Sequence, residues 1–497
     1  MAPRRLPALV VSAQAAALAL LLVVAAALGG VHASGGRAEP RRLAAGGSGT
    51  AAELVKDSPR SSAEGEVRNS ALVVNDSAPS SAKGGEEAEA EAEVEAGVPP
   101  LQLIIAEEGR AVGAVCLDGS APGFYYRKGY GSGRNNWVLF FEGGAWCSSH
   151  HACAHRATTI LGSSALFLPA EEMESTERGM KGMFSANRTI NPDFYNWNAA
   201  FFPYCDGGSF SGDREHIPVP SGAPLYLRGR RVADLLLKHL IDRMGLAQAH
   251  QVVVAGCSAG AVAVLLHCDR IRAALEAIAP SISVRCIADS SMFLDLPDAN
   301  NTRNVEALFT NVTKMHNMSA SLPPACLKDR PPEKHYECFM AEHLLPYIST
   351  PLFLINSNYD IVALRLIVGP EAVSASSGKP KDCLEQVDTC SEEEKKRMEA
   401  FRKGVTSAVA PLLHADPPSA SSLSASPLAP LSTPPNGVFL FSCFQHGSIH
   451  LDMPWKLRTA NGVPMNEAVG RWVHANDNEK IHLVEGSYPC NTCGMTL

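Results

Sequence analysis

The chain has 497 residues, 46% of them hydrophobic and 19% charged, with a formal net charge of -8. That is enough for one large domain or two ordinary ones with a sizeable core. The acidic balance gives no basis for nucleic-acid binding, and part of it comes from a Glu/Ala run at 86–95, so the folded part is nearer neutral.

The N-terminus reads as a targeting segment. Arg4 and Arg5 precede an apolar run from Ala15 to Leu28, and Val31-His32-Ala33 has small residues at cleavage spacing. Residues 1–33 are therefore expected to be a signal peptide cut after Ala33. The run is long enough to serve instead as an uncleaved anchor, the one expected contact with a membrane. Either way the chain enters the secretory pathway, and the expected location is extracellular, in the cell wall. Fourteen cysteines agree, since an oxidising compartment makes disulfides the default. Cys147 with Cys153, Cys326 with Cys338, and Cys383 with Cys390 are close in sequence, as are Cys490 and Cys493. Sequons at Asn75, Asn187, Asn300, Asn311 and Asn317 fit surface glycosylation. Residues 34–98 are poor in aromatics and rich in Ala, Gly, Ser and Glu, which predicts a disordered linker. The folded domain is expected over 99–497.

Within it, Leu101–Ile105 and Phe124–Tyr126 read as strands, and Trp137–Phe141 is an unbroken apolar run bounded by turns, hence a central strand. Glu142-Gly143-Gly144-Ala145-Trp146-Cys147 follows it. A Gly-Gly loop after a central strand is where an α/β-hydrolase places oxyanion donors, because backbone N–H groups must point into the site unobstructed. His150, His151, Cys153 and His155 invite a zinc reading. No second ligand pair has regular spacing, and Cys147 with Cys153 is better used as a disulfide. Ala199–Phe202 predicts another strand, with Tyr204-Cys205-Asp206-Gly207 as a loop at its carboxyl end, where binding crevices form. Trp146 and Asp206 are expected to touch substrate. A helix is expected over Leu225–Gly245.

Gln251–Ala255 is a β-branched run, Gly256-Cys257-Ser258-Ala259-Gly260 follows, and apolar residues continue to Leu266. Strand, G-x-S-x-G, helix is the context of a nucleophile elbow, with Ser258 pushed into the open. Downstream, Pro351–Asn356 reads as a strand followed by Asp360, a position suited to the acid that orients a catalytic His. Asp289, after strand-like Arg285–Ile287, is the second choice. Leu384–Val409 looks helical, and 414–435 is a low-complexity insertion. Gly437–Ser442 is the last strong strand, and His446 lies in the loop after it, completing the order Ser, Asp, His. His450 competes with it. Cys257 is either a buried thiol or a disulfide partner.

These residues resemble the pectin acetylesterase family, which also includes the animal Notum carboxylesterases, and the plant branch especially. The likeness runs from Val115 to Cys493 and rests on Cys116-Leu117-Asp118-Gly119-Ser120, Glu142–Cys147, Asn191–Asn198, Tyr204–Gly207 and Gly256–Gly260, in that order. The resemblance implies an α/β-hydrolase-like fold, a central mostly parallel sheet flanked by helices, with disulfide-stapled loops. It implies a serine esterase with nucleophile Ser258, acid Asp360 and base His446, and oxyanion donors at Gly144, Ala145 and Ala259. No cofactor or metal is called for. The expected partner is an acetylated polysaccharide, cleaved by a monomer. A Notum-like removal of a lipid acyl group from a protein is the alternative and needs a deep apolar pocket. An inactive hydrolase fold serving as a binding module is the other. Plant members usually carry glycine where Ala145 stands; since the donor is a backbone N–H, alanine should be tolerated there unless φ is positive.

Overall fold

The computed structural model describes residues 97–497 apart from 177–178, 219–221, 369–382, 385–386, 415–435, 476–479, 489–492 and 494–497. The signal peptide, nearly all of the linker, Asn75, Cys490 and the insertion at 415–435 lie outside the described residues.

A nine-stranded sheet organises the chain. Its strands are β1 (Gln102–Ile105), β2 (Gly123–Arg127), β3 (Asn136–Phe141), β4 (Asn198–Phe202), β5 (Gln251–Cys257), β6 (Ser283–Asp289), β7 (Leu352–Ser357), β8 (Gly437–Phe441) and β9 (His482–Val484). Their spatial order is β1-β2-β4-β3-β5-β6-β7-β8-β9. The first two pairings, β1 with β2 and β2 with β4, are antiparallel. Every pairing from β4 through β9 is parallel.

Parallel strands covered on both faces read as continuous apolar runs, and β5 shows why. Val252 and Val254 belong to one core layer, Val253 and Ala255 to the opposite one, and all four are fully buried. The first layer is closed by helices α2 (Gly229–Arg243) and α3 (Ala259–Glu276). The second is closed by Trp455 and Trp472. Helix α3 is small and apolar almost all round, which lets it sit close to the sheet. A side chain at Gly260 would overlap the Phe141 carbonyl at the end of β3.

Some boundaries differ from expectation. Leu225–Leu227 is a strand paired with Arg214–Ile217, and α2 begins only at Gly229. Arg228 between them is drawn away, to the backbone of Glu215 and Gly113. The predicted helix after Leu384 runs instead from Glu392 to His414, through Pro411. Strand β9 lies beyond the last one expected, being short and only partly buried.

Disulfides join Cys147 to Cys153, Cys326 to Cys338 and Cys383 to Cys390, the pairs close in sequence. Three more join residues far apart or on different elements: Cys116 to Cys205, Cys268 to Cys286 and Cys443 to Cys493. Cys493 thus bonds Cys443 rather than its near neighbour Cys490. Cys257 is a free, buried thiol. Among the described residues no helix is long and apolar enough to cross a membrane.

Candidate active site

The loops that carry chemistry all leave the carboxyl ends of the parallel strands, where such sheets form their crevice. Ser258 follows β5 directly, at φ 59° and ψ -125°, a strained left-handed turn between strand and helix. It is 6% exposed. Because α3 starts at Ala259, the first N–H groups of that helix have no partner within it and point toward the turn. Glycine at 143 lets the β3 loop reach the same place. A Cβ there would lie 2.8 Å from Cβ of Ser258. Gly144 is equally confined, with Tyr204 2.6 Å and Leu161 3.0 Å from the position its Cβ would occupy. Ala145 has φ 54°, so the condition attached to this substitution applies: an alanine holds a conformation that favours glycine.

Asp360 follows β7 and caps helix α4 (Ile361–Val368), its Oδ1 accepting the N–H groups of Val362 and Ala363. The same carboxylate faces His446, whose Nδ1 lies 2.9 Å from Oδ1 and 2.8 Å from Oδ2. Both side chains are buried. Nε2 of His446 is buried and has no hydrogen-bond partner among the described residues. Burial by itself would push the imidazolium down. The Asp360 charge and hydrogen bond, with Asp289 behind it, outweigh that and raise His446 above its usual 6.5, against a smaller opposing effect of Arg365. A histidine with one nitrogen oriented by a carboxylate and the other uncommitted is equipped to take and return a proton.

Asp289, the second choice for the acid, does something else. Its backbone carbonyl accepts the Ser258 N–H at 2.8 Å. Its Oδ2 accepts the N–H groups of Ser448 at 2.6 Å and Ile449 at 3.0 Å. The hydroxyl of Ser290 accepts the Gly447 N–H at 2.9 Å. One dipeptide at the end of β6 therefore ties the elbow to the loop that carries His446. His450, the rival base, lies beside Cys257 and Asp289 rather than Asp360.

A second brace comes from beyond β9. Glu485 accepts the Ser442 N–H with Oε2 at 2.8 Å, and its carbonyl accepts Nδ2 of Asn358 at 3.1 Å. The hydroxyl of Ser442 donates to the Gly486 carbonyl at 2.6 Å. The loops of Asp360 and His446 thus lean on one strap, fastened by the Cys443–Cys493 bond. Nothing in the apolar patterning marked Asp289, Ser290 or Glu485 for these tasks. The signal was only their place just after a strand.

The two residues expected to touch substrate are both buried. Asp206 is fully buried, and its Oδ2 accepts the N–H groups of Gly208 and Phe210, holding its own loop. Trp146 is buried too, and its Nε1 donates to the Ser209 hydroxyl at 2.8 Å. Its ring packs edge-on against Phe293, Phe309 and Phe339, and Phe293 in turn lies 6.1 Å from His446, centroid to centroid. Rings thus fill the flank of the site next to His446.

Cys147, Cys153 and His316 are grouped closely enough for a metal, but the two sulfurs are bonded to each other and offer no thiolate. In the group of Cys257, Asp289 and His450, burial raises the thiol far above its usual value, so it too stays protonated. Asn187, Asn300, Asn311 and Asn317 are exposed, as sugar attachment requires.

A profile described as PAE: Pectinacetylesterase matches residues 95–494. Pectin acetylesterase 7 of Arabidopsis thaliana is 33% identical over 405 residues, covering 80% of this chain and 93% of that protein. The palmitoleoyl-protein carboxylesterase NOTUM of Schmidtea mediterranea is 30% identical over 270 residues, covering 53% of this chain and 50% of that one. Among solved structures, that of the Wnt deacylase Notum from Drosophila superposes with a TM-score of 0.60 at 24% identity, covering 78% of this chain and 96% of the other. That likeness carries the α/β-hydrolase-like fold.

Proposed function

The chain belongs to the pectinacetylesterase family and is a carboxylic ester hydrolase, and from that premise we propose that it removes O-acetyl groups from pectin or a related cell-wall polysaccharide through Ser258, His446 and Asp360. The observation that carries the reading is the His446–Asp360 contact at 2.8 Å, with Nε2 without a partner among the described residues and the strained Ser258 tied through Asp289 to the loop that carries His446.

In the first half-reaction Ser258 Oγ attacks the ester carbonyl and His446 Nε2 accepts its proton. Asp360 holds the imidazole tautomer and stabilises the imidazolium. The oxyanion is received by N–H groups of Gly144, Ala145 and Ala259, each such donor contributing roughly 10²–10³ in rate. His446 then protonates the departing sugar oxygen. In the second half water, deprotonated by His446, attacks the acyl-enzyme, and acetate leaves as Ser258 recovers its proton. Phe293 lies 6.1 Å from His446, with Trp146, Phe309 and Phe339 packed behind it, and this filled flank supports a short acyl group. The disulfides support work in an oxidising, extracellular setting.

Purified protein should hydrolyse p-nitrophenyl acetate and release acetate from acetylated pectin, with octanoyl esters much poorer. Ser258→Ala should lower the rate by at least about 10³-fold. Unchanged hydrolysis in that variant would sink the mechanism. A preference for octanoyl esters would sink the substrate assignment.

A further inference from the structure

Helix α1 (His150–Arg156) follows the Gly143–Trp146 loop and carries cations that the ester chemistry leaves unused. Arg156 is 2% exposed, and its Nε, Nη1 and Nη2 have no hydrogen-bond partner among the described residues. A guanidinium is charged at any pH a protein meets, and burying it unpaired costs several kcal/mol. Its fork of donors is therefore a strong pull on an anion. The carboxylate that acts on it, Asp206, has Oδ2 committed to backbone N–H groups. Burial pushes Asp206 up to about 7, with those N–H groups and Arg156 pulling the other way. Asp206 Oδ1 has no partner among the described residues either, and the Tyr204 ring centroid lies 5.8 Å from the guanidinium carbon.

Arg156 faces a small cavity of about 50 Å³ lined also by Trp146, His151 and His155. A second cavity, about 490 Å³, meets the same helix at His150 and is lined by Arg214, His216 and Lys314. Neither is lined by an acid. The adjacent acids are occupied elsewhere, Asp213 by Arg231 and Glu215 by Arg228 and Arg231. The small cavity has room for a carboxylate but not a sugar ring, while the larger one falls in the size range of ordinary ligand pockets.

We propose that these two cavities bind successive carboxylates of a polyuronate chain, Arg156 gripping one beside the oxyanion loop and the Arg214–Lys314 cavity holding others farther along. Arg is the side chain suited to the first task, because its planar fork meets a carboxylate through two parallel hydrogen bonds. Lys314 supplies a point charge for the second, and the histidines supply hydrogen-bonding nitrogens. This inference rests on the polysaccharide reading above and narrows it: the acetylated polymer is an acidic one, and its charge fixes which ester reaches Ser258.

The test measures binding without turnover. Protein carrying Ser258→Ala, and Asn311→Gln so that no glycan occupies the rim of the larger cavity, is titrated by calorimetry with polygalacturonate and with neutral acetylated xylan. Polygalacturonate should bind at least about tenfold more tightly, and added salt should erode the difference. Arg156→Gln should weaken polygalacturonate binding about tenfold, and so should the double change Arg214→Glu with Lys314→Glu. The double change lies at the surface and keeps the test valid if Arg156→Gln fails to fold. Equal affinity for the two polymers overturns the proposal. Parental affinity in both variants also overturns it, and would mean that the small cavity holds water bridging Arg156 and Asp206. Failure of the hydrolase reading would register separately, as wild-type protein inert toward p-nitrophenyl acetate.

Discussion

At φ 54° Ala145 occupies backbone space in which an L side chain crowds its own carbonyl. Replacing it by glycine should raise unfolding free energy by about 1 kcal/mol, read from urea denaturation, because the strain relieved is of that size. The N–H proposed as an oxyanion donor is retained, so esterase activity should survive. His446 permits a second prediction. It acts as a base only when neutral, and Asp360 with Asp289 holds its pKa above 6.5. The rate should therefore climb with pH through that raised value. Asp289→Asn removes a charge behind the ring and half of the clamp on Ser448 and Ile449. The acid limb of kcat/KM should move to lower pH and the plateau should fall about tenfold or more. A plateau that falls with no movement of the limb would assign Asp289 a purely structural part. Residue types and positions made Ser258, Asp360 and His446 stand out in the sequence. Backbone dihedrals and the fate of individual N–H groups were not legible there, which is why the strain at Ala145 and the clamp at Asp289 came only with coordinates.

Elements were read well where they were long and apolar. Strands β3, β5, β7 and β8 are buried on both faces, so their sequences are nearly continuous in Val, Leu, Ile and Phe. Strand β9 escaped notice because three partly exposed residues carry no periodic signal. It matters more than its length suggests, since the strap beyond it holds Asn358 and Ser442. Changing Cys443 and Cys493 together to serine should cost about 4 kcal/mol in urea unfolding, from the entropy of reopening that loop. Activity should fall further than stability alone explains, because Asp360 and His446 lose a shared support. Long-range pairings such as this one depend on which loops the sheet order brings together, and spacing along the chain does not encode them. Pairs only a few residues apart, such as Cys147 with Cys153, are legible because the chain between them has little freedom.

Across the whole molecule, the buried titratable groups oppose one another. Burial lowers His267 and His316 to about 4, so both are held neutral. Between 6.5 and about 4 the unfolded chain binds more protons at these sites, and stability falls as pH falls. Burial raises Asp206 from 3.8 to about 7, so the folded chain binds more protons there and stability falls as pH rises through that window. With two histidines set against one aspartate, these groups leave a net slope of about one proton, and stability should fall as pH falls between 6.5 and about 4. His267→Gln, which removes one acid-side contribution, should leave stability rising as pH is lowered relative to wild type, by up to about 3 kcal/mol at pH 4. Chemical denaturation at several pH values reads this directly.

The strap from Glu485 to Cys493 also sets a clock. Ser258, Asp360 and His446 have all left the ribosome before the residues that brace the last two are made. The elbow and its strand can form early from neighbours already present, since β3 and β5 precede it. The loops of Asp360 and His446 must wait for β9 to add itself to the sheet edge and for Cys493 to find Cys443. The support of the proposed acid and base is thus among the last features this chain acquires.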